Sequence, residues 1–170
     1  EQLSGRPCVW ATAQYLSYAR TNETMEIDVT LAAVGHQITQ ARAVGHVGDR
    51  EILTVNAALG ERAFEHRATF AKMPDVPKPS EIASREHRHP VENTIHERLD
   101  ERLVKGRELE DLNGEPNDGR TVMWARIPDV LSDVDAATLA VLGDFVPMAI
   151  GQALGVRGGG NSLDNTLRIV

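Results

Sequence analysis

Residues 132–154 read SDVDAATLAVLGDFVPMAIGQAL, and the apolar pattern of this stretch decides what the rest of the chain must supply. Ala136, Ala137, Leu139, Ala140, Val141, Leu142, Phe145, Val146, Met148, Ala149, Ile150, Ala153 and Leu154 would cover nearly every side of a helix, with Ser132 or Asp133 as its cap. At about 1.5 Å per residue, a helix over residues 133–154 reaches roughly 33 Å, the thickness of a small domain. A helix apolar all round must be buried, so a sheet has to wrap around it. Gly155 supplies a stop.

Outward from this helix, strands are expected on both sides. Downstream, Arg157-Gly158-Gly159-Gly160-Asn161 is a loop and residues 162–170 read as a strand. Upstream, residues 121–127 form a short strand ended by Pro128-Asp129, after loop chemistry at residues 113–119. Ile95, Leu99 and Leu103 recur every fourth residue as in a helix, yet Ile95, Glu97, Leu99, Glu101 and Leu103 equally suit a strand with a wet edge. Pro74, Pro77, Pro79 and Pro90, among charged clusters, give residues 60–92 the look of a linker.

The first sixty residues read as β structure. Residues 7–18 (PCVWATAQYLSY) are rich in β-branched and aromatic side chains. Met25, Ile27, Val29, Leu31 and Ala33 then alternate with Glu26, Asp28, Thr30 and Ala32, the mark of a half-buried strand. Gly35-His36 is a hairpin corner, and the next strand places Thr39, Ala41, Ala43 and Gly45 on one face, where small side chains permit close approach. Gly48-Asp49 turns the chain into a strand over residues 51–59, completing a three-strand antiparallel meander.

Composition narrows the function. With 170 residues, 41% hydrophobic and 25% charged, the chain can build a core and is neither disordered nor collagen-like. A net charge of −7 without a dense Lys/Arg tract argues against nucleic acid as a partner. No apolar run approaches a membrane span, and no basic-then-apolar opening marks a secretion signal. The lone Cys8 cannot form an internal disulfide, so a reducing cytoplasm is the expected compartment and a buried structural thiol its expected state. Glu1 is not a methionine and the chain stops in the apolar run 166–170, which reads as a piece of a longer protein.

The element order and several motifs resemble the double-hotdog acyl-CoA thioesterases of the thioesterase II family. The resemblance is carried by residues 7–18 and Gly35-His36-Gln37-Ile38-Thr39-Gln40-Ala41-Arg42 in the first module. In the second it is carried by Leu142-Gly143-Asp144-Phe145 and Asn161-Ser162-Leu163-Asp164-Asn165. It implies an α+β fold in which a hotdog-type antiparallel sheet wraps a long buried helix, with parts of two modules present. Residues 1–62 would be C-terminal strands of the first module, 63–92 a linker, and 93–170 the N-terminal part of the second. The resemblance tips residues 94–104 toward a strand.

Asp144 is the one charged residue between Asp135 and Arg157, and a carboxylate in an apolar helix needs hydrogen bonds or a raised pKa. Such a group suits thioester hydrolysis, which needs a carboxylate to orient or deprotonate water. In the resembling family an Asp here works with a hydroxyl residue at the start of the next strand and a Gln further on. Carried over, the pair is Asp144 and Ser162, and the Gln would lie beyond Val170. The plainer reading makes Asp144 the cap of a second helical segment, with Pro147 in its first turn. Asp164 suits a bond to nearby backbone.

Gly159 and Gly160 could offer backbone N–H groups to substrate, and Arg157 could meet a CoA phosphate. A flexible helix exit and a solvated arginine are the plainer readings. His36, His46, His87, His89 and His96 lack ligand spacing, so neither a metal nor a cofactor is expected. No Gly-x-Ser-x-Gly elbow occurs, which leaves water as the attacker.

The expected activity is hydrolysis of acyl-CoA to fatty acid and CoA by a homo-oligomer, with residues 1–170 alone inactive. The alternative is a non-catalytic acyl-binding or oligomeric hotdog module. A hotdog hydratase fits less well, because it needs an Asp and a His together and no His follows His96.

Overall fold

The structure is a computed structural model that describes residues 1–61, 66, 68–69, 71–85, 94–128, 133–144, 149–158 and 160–169. The chain divides into two compact units, one formed by Glu1–Ala68 with Asn161–Val170 and the other by Thr69–Gly160.

The first unit is a five-stranded antiparallel sheet. Its strands are β1 (Cys8–Tyr15), β2 (Glu26–Val34), β3 (Ile38–Val47), β4 (Arg50–Gly60) and, from the far end of the chain, β7 (Asp164–Arg168). They lie in the order β2-β3-β4-β1-β7, so the predicted meander is present and the C-terminal strand pairs with β1. Direct cross-strand partners share a face. One face therefore carries Ile27, Val29 and Leu31 beside Gly45, Ala43 and Ala41, then Leu53, Val55 and Ala57, then Tyr15, Ala13 and Ala11. The other carries the row Thr30, Arg42, Asn56, Thr12 and Thr166. Alternation at period 2 produces this separation, but β2 is an edge strand, and Ile27 and Val29 stay 55% and 51% exposed. At Gly45, what comes close is the Leu53 and Met25 side chains, at 3.1 and 3.2 Å from where a Cβ would stand.

The corner between β2 and β3 is fastened from outside the hairpin. Gly35 N–H donates to the Ile38 carbonyl at 2.9 Å. The Arg6 guanidinium donates to the carbonyls of Gly35 and His36 and to Oγ1 of Thr39, at 2.9, 3.0 and 2.9 Å. Thr39 is 1% exposed, so its hydroxyl depends on such a partner. Replacing Arg6 with Ala is expected to lower stability by about 1–3 kcal/mol, the cost of leaving buried polar groups unsatisfied. A urea-unfolding midpoint with unchanged slope checks this.

In the second unit, β5 (Asp100–Lys105) and β6 (Val122–Arg126) form an antiparallel hairpin, which settles residues 100–105 as strand. Leu99 and Glu101 are buried, which corrects the expected wet edge at Glu101, whereas Ile95–Arg98 form a 3-10 turn rather than the start of the expected strand, with Ile95 and Glu97 exposed. The proline-rich segment 71–85 is held to this hairpin. Trp124 Nε1 donates to the Pro77 carbonyl at 3.0 Å, and Arg102 Nη1 to the carbonyls of Pro79 and Ile82 at 2.9 and 2.7 Å.

The long buried helix is not found among the described residues. In its place stand α1 (Ala136–Asp144) and α2 (Ala149–Leu154), while residues 145–148 lie outside the described set. Thr138 is the buried residue of α1, and Ile150 of α2 is 74% exposed. The described strands of this unit make a two-stranded hairpin, too narrow to cover a helix on all sides. Pro147, with no N–H to give, also argued in the sequence against one unbroken ladder.

The caps differ from expectation as well. Asp135 starts α1, its Oδ1 accepting from Thr138 N–H at 2.7 Å, while the Asp133 carbonyl accepts from the Thr138 hydroxyl at 2.6 Å. Ser132 lies outside the described residues. Gly155 ends α2 at φ +71°, packed so closely on Glu115 that no side chain would fit.

Candidate functional site

Asp144 is the exposed last residue of α1, in the second unit. A carboxylate at a helix C-terminus gains nothing from the helix dipole, so it serves α1 no capping purpose. The plainer role expected for it, capping a second helical segment with Pro147 in its first turn, falls on residues 145–148, which lie outside the described residues. Ser162 belongs to the first unit, exposed and just ahead of β7, where the Leu163 carbonyl accepts from Tyr15 N–H at 3.0 Å and extends the ladder. Each residue therefore sits at the end of a regular element and is exposed.

Around the exit of α2, Arg157 Nε donates to the Leu109 carbonyl at 3.2 Å, which ties the helix exit to the loop after β5. Gly160 is exposed with no atom within 4 Å of a built Cβ, and Gly159 lies outside the described residues. Among the described residues no three His, Cys, Asp or Glu side chains converge as metal ligands, and His87 and His89 lie outside that set.

Sequence reasoning missed a polar network on the second unit. Arg85 lies between two carboxylates, with Nη1 2.8 Å from Glu101 Oε2 and Nη2 2.8 Å from Glu108 Oε2. Glu101 is only 6% exposed. Next to it, Asp100 accepts from Ser84, Arg102 and Arg126 at 2.9, 3.1 and 2.7 Å. A groove of about 360 Å³, lined by Ile82, Ala83, Ser84, Arg85, Leu103, Glu108 and Glu110, runs beside these groups. The available signal was Glu101 standing between Leu99 and Leu103 on an apolar face.

This network is built to hold charge rather than to move protons. The Arg102 guanidinium, helped by Ser84 and Arg126, pulls the Asp100 carboxyl from 3.8 down to about 2. So weak a base is of little use at neutral pH. Because the folded state lowers this pKa, the stabilisation is complete above about pH 4 and disappears as pH falls through about 2. In Asp100→Asn the unfolding midpoint is therefore expected to fall less steeply than in wild type between pH 4 and pH 2. Urea titrations at stepped pH check it.

Similarity to known structures covers between 76% and 99% of the chain. A candidate thioesterase from Novosphingobium aromaticivorans DSM 12444 matches with a TM-score of 0.79 and 31% identity over 99% of this chain and 63% of its own. A hotdog-fold protein of unknown function from Alicyclobacillus acidocaldarius matches with a TM-score of 0.79 and 21% identity, over 95% of this chain and 58% of its own. An acyl-CoA thioesterase II from Mycobacterium marinum matches with a TM-score of 0.53 and 19% identity, over 76% of this chain and 45% of its own. No protein-family model and no curated protein matches the sequence. The chain is thus similar to hotdog-fold thioesterases, including thioesterase II, and is partial relative to them, spanning 63% of the Novosphingobium protein. Its antiparallel sheet with few helices fits an α+β hotdog.

Proposed function

We propose that the whole protein of which this chain is part hydrolyses acyl-CoA thioesters to a free fatty acid and CoA. The observation that carries this reading is the match to a candidate thioesterase at 31% identity along 99% of the chain. In the proposed mechanism the Asp144 carboxylate holds a water molecule, and Ser162 is the hydroxyl residue that the family resemblance pairs with it. The water oxygen attacks the thioester carbonyl carbon as Asp144 draws off a proton, the tetrahedral intermediate collapses, and the C–S bond breaks to release CoA thiolate. The backbone N–H groups of Gly159 and Gly160 receive the developing oxyanion, and the exposed Arg157 guanidinium meets a CoA phosphate. The protein acts as a cytoplasmic homo-oligomer without a cofactor.

In the second unit, Asp100 and Glu101 are bound to arginines, and Asp135 is held down by the Thr138 backbone N–H that it caps. Among the described residues no helix is long and apolar enough to cross a membrane.

Release of free thiol from a panel of acyl-CoA esters tests the activity. Turnover on at least one chain length is expected. Calorimetric binding of the same esters with no thiol released would select the acyl-binding module instead.

A further inference from the structure

His46 lies on β3, on the polar face of the five-stranded sheet, and both of its ring nitrogens face acceptors. Nδ1 is 3.0 Å from the Gly48 carbonyl oxygen in the β3–β4 turn, and Nε2 is 3.1 Å from Oδ2 of Asp28 on β2. A carbonyl and an ionised carboxylate can only accept. A neutral imidazole has one N–H and satisfies one of them, leaving a lone pair against a lone pair at the other. The doubly protonated ring satisfies both.

The surrounding charges favour that state. From β2, Glu26 lies opposite His46 in register with its carboxylate 3.9 Å from Nδ1, and Asp28 makes the hydrogen bond. From β4, Glu51 is the direct cross-strand partner, and Asp49 stands in the turn. The cation of this region, Arg50, is turned to Glu23 and the Tyr18 carbonyl at 2.8 and 3.1 Å. β2 is the edge of the sheet and pairs only with β3 among the described strands.

We propose that His46 is a pH-sensitive clasp that fastens the start of edge strand β2 to the β3–β4 turn, closed while the ring carries two protons and loosened when it loses one. The Gly48 carbonyl, then Asp28, raise the pKa of the ring above its ordinary 6.5. A raised folded value means that the fastening is complete below about pH 6.5 and is lost as pH climbs through the folded pKa. The clasp thus loosens as pH rises through a value above 6.5, and it loosens the strand whose Ile27 and Val29 are already half exposed.

An NMR titration of the His46 ring, paired with hydrogen exchange of the β2 amides between pH 5.5 and 9 after correction for intrinsic rates, tests the proposal. The ring should titrate above 6.5 and fall toward it in Asp28→Asn. Opening of β2 in wild type should rise by about two- to fivefold across that pKa, the size expected of an exposed charge pair. In His46→Gln it should stay at the open level throughout. A ring that titrates at or below 6.5, or exchange profiles of wild type and His46→Gln that coincide at every pH, overturns the clasp. Neither readout depends on thioester hydrolysis.

Discussion

Asp144→Asn in the whole protein is expected to lower acyl-CoA hydrolysis by about a hundredfold or more, the usual scale for loss of a positioned general base. The substitution keeps size while removing the negative charge and the ability to take a proton. Asp144 is exposed at the end of α1, so the fold should tolerate the change with a stability shift within about 0.5 kcal/mol. The loss should fall on kcat while KM stays nearly constant, because the carboxylate acts on the water rather than on the acyl chain. Initial rates over a range of acyl-CoA concentrations, with a melting curve as control, check the prediction. A variant as fast as wild type would remove Asp144 from the mechanism.

The second large effect concerns stability. Arg85→Met takes the guanidinium away from Glu101, whose side chain is 8% exposed, and from Glu108. Breaking a buried ion pair from one side is expected to destabilise by about 3–5 kcal/mol, because the remaining carboxylate keeps its desolvation cost. The double variant Arg85→Met with Glu101→Leu should recover most of the loss, since both charges are then gone and apolar volume fills the space. Chemical unfolding of the three proteins measures the recovery. A double variant no more stable than Arg85→Met would show that the pair is not what holds this face together.

The β framework was legible because it rests on short-range pattern. Period-2 alternation in residues 25–33 placed β2, and Gly35-His36 and Gly48-Asp49 marked the turns that set the meander. Pairing of β7 with β1 was beyond such reading, because a register between residues 10–14 and 164–168 leaves no local trace. The burial of the helical stretch was over-read, since Ile150 and Leu154 are exposed. Counting apolar residues from Ala136 to Leu154 measures how much surface wants burial, whereas the width of the neighbouring sheet limits how much of it can be covered.

Charge was read less well than hydrophobicity. Glu101 looked like a wet-edge residue because its partner Arg85 is sixteen residues away, at the end of the proline-rich segment. Prolines suggested a linker because they cannot donate, yet their carbonyls accept, and Trp124 and Arg102 use those of Pro77 and Pro79. Asp144 was singled out because a lone acid in an apolar stretch is a composition signal. Its partnership with Ser162 comes from the family resemblance, and the two residues belong to different units.

The claim that a water held by Asp144 attacks the thioester directly is tested most closely by a single turnover of acyl-CoA in ¹⁸O-labelled water. The account predicts one solvent oxygen in the released fatty acid and none in the peptide that carries Asp144. Label in the Asp144 carboxylate with an unlabelled first-turnover acid would mean a covalent anhydride, and would contradict it.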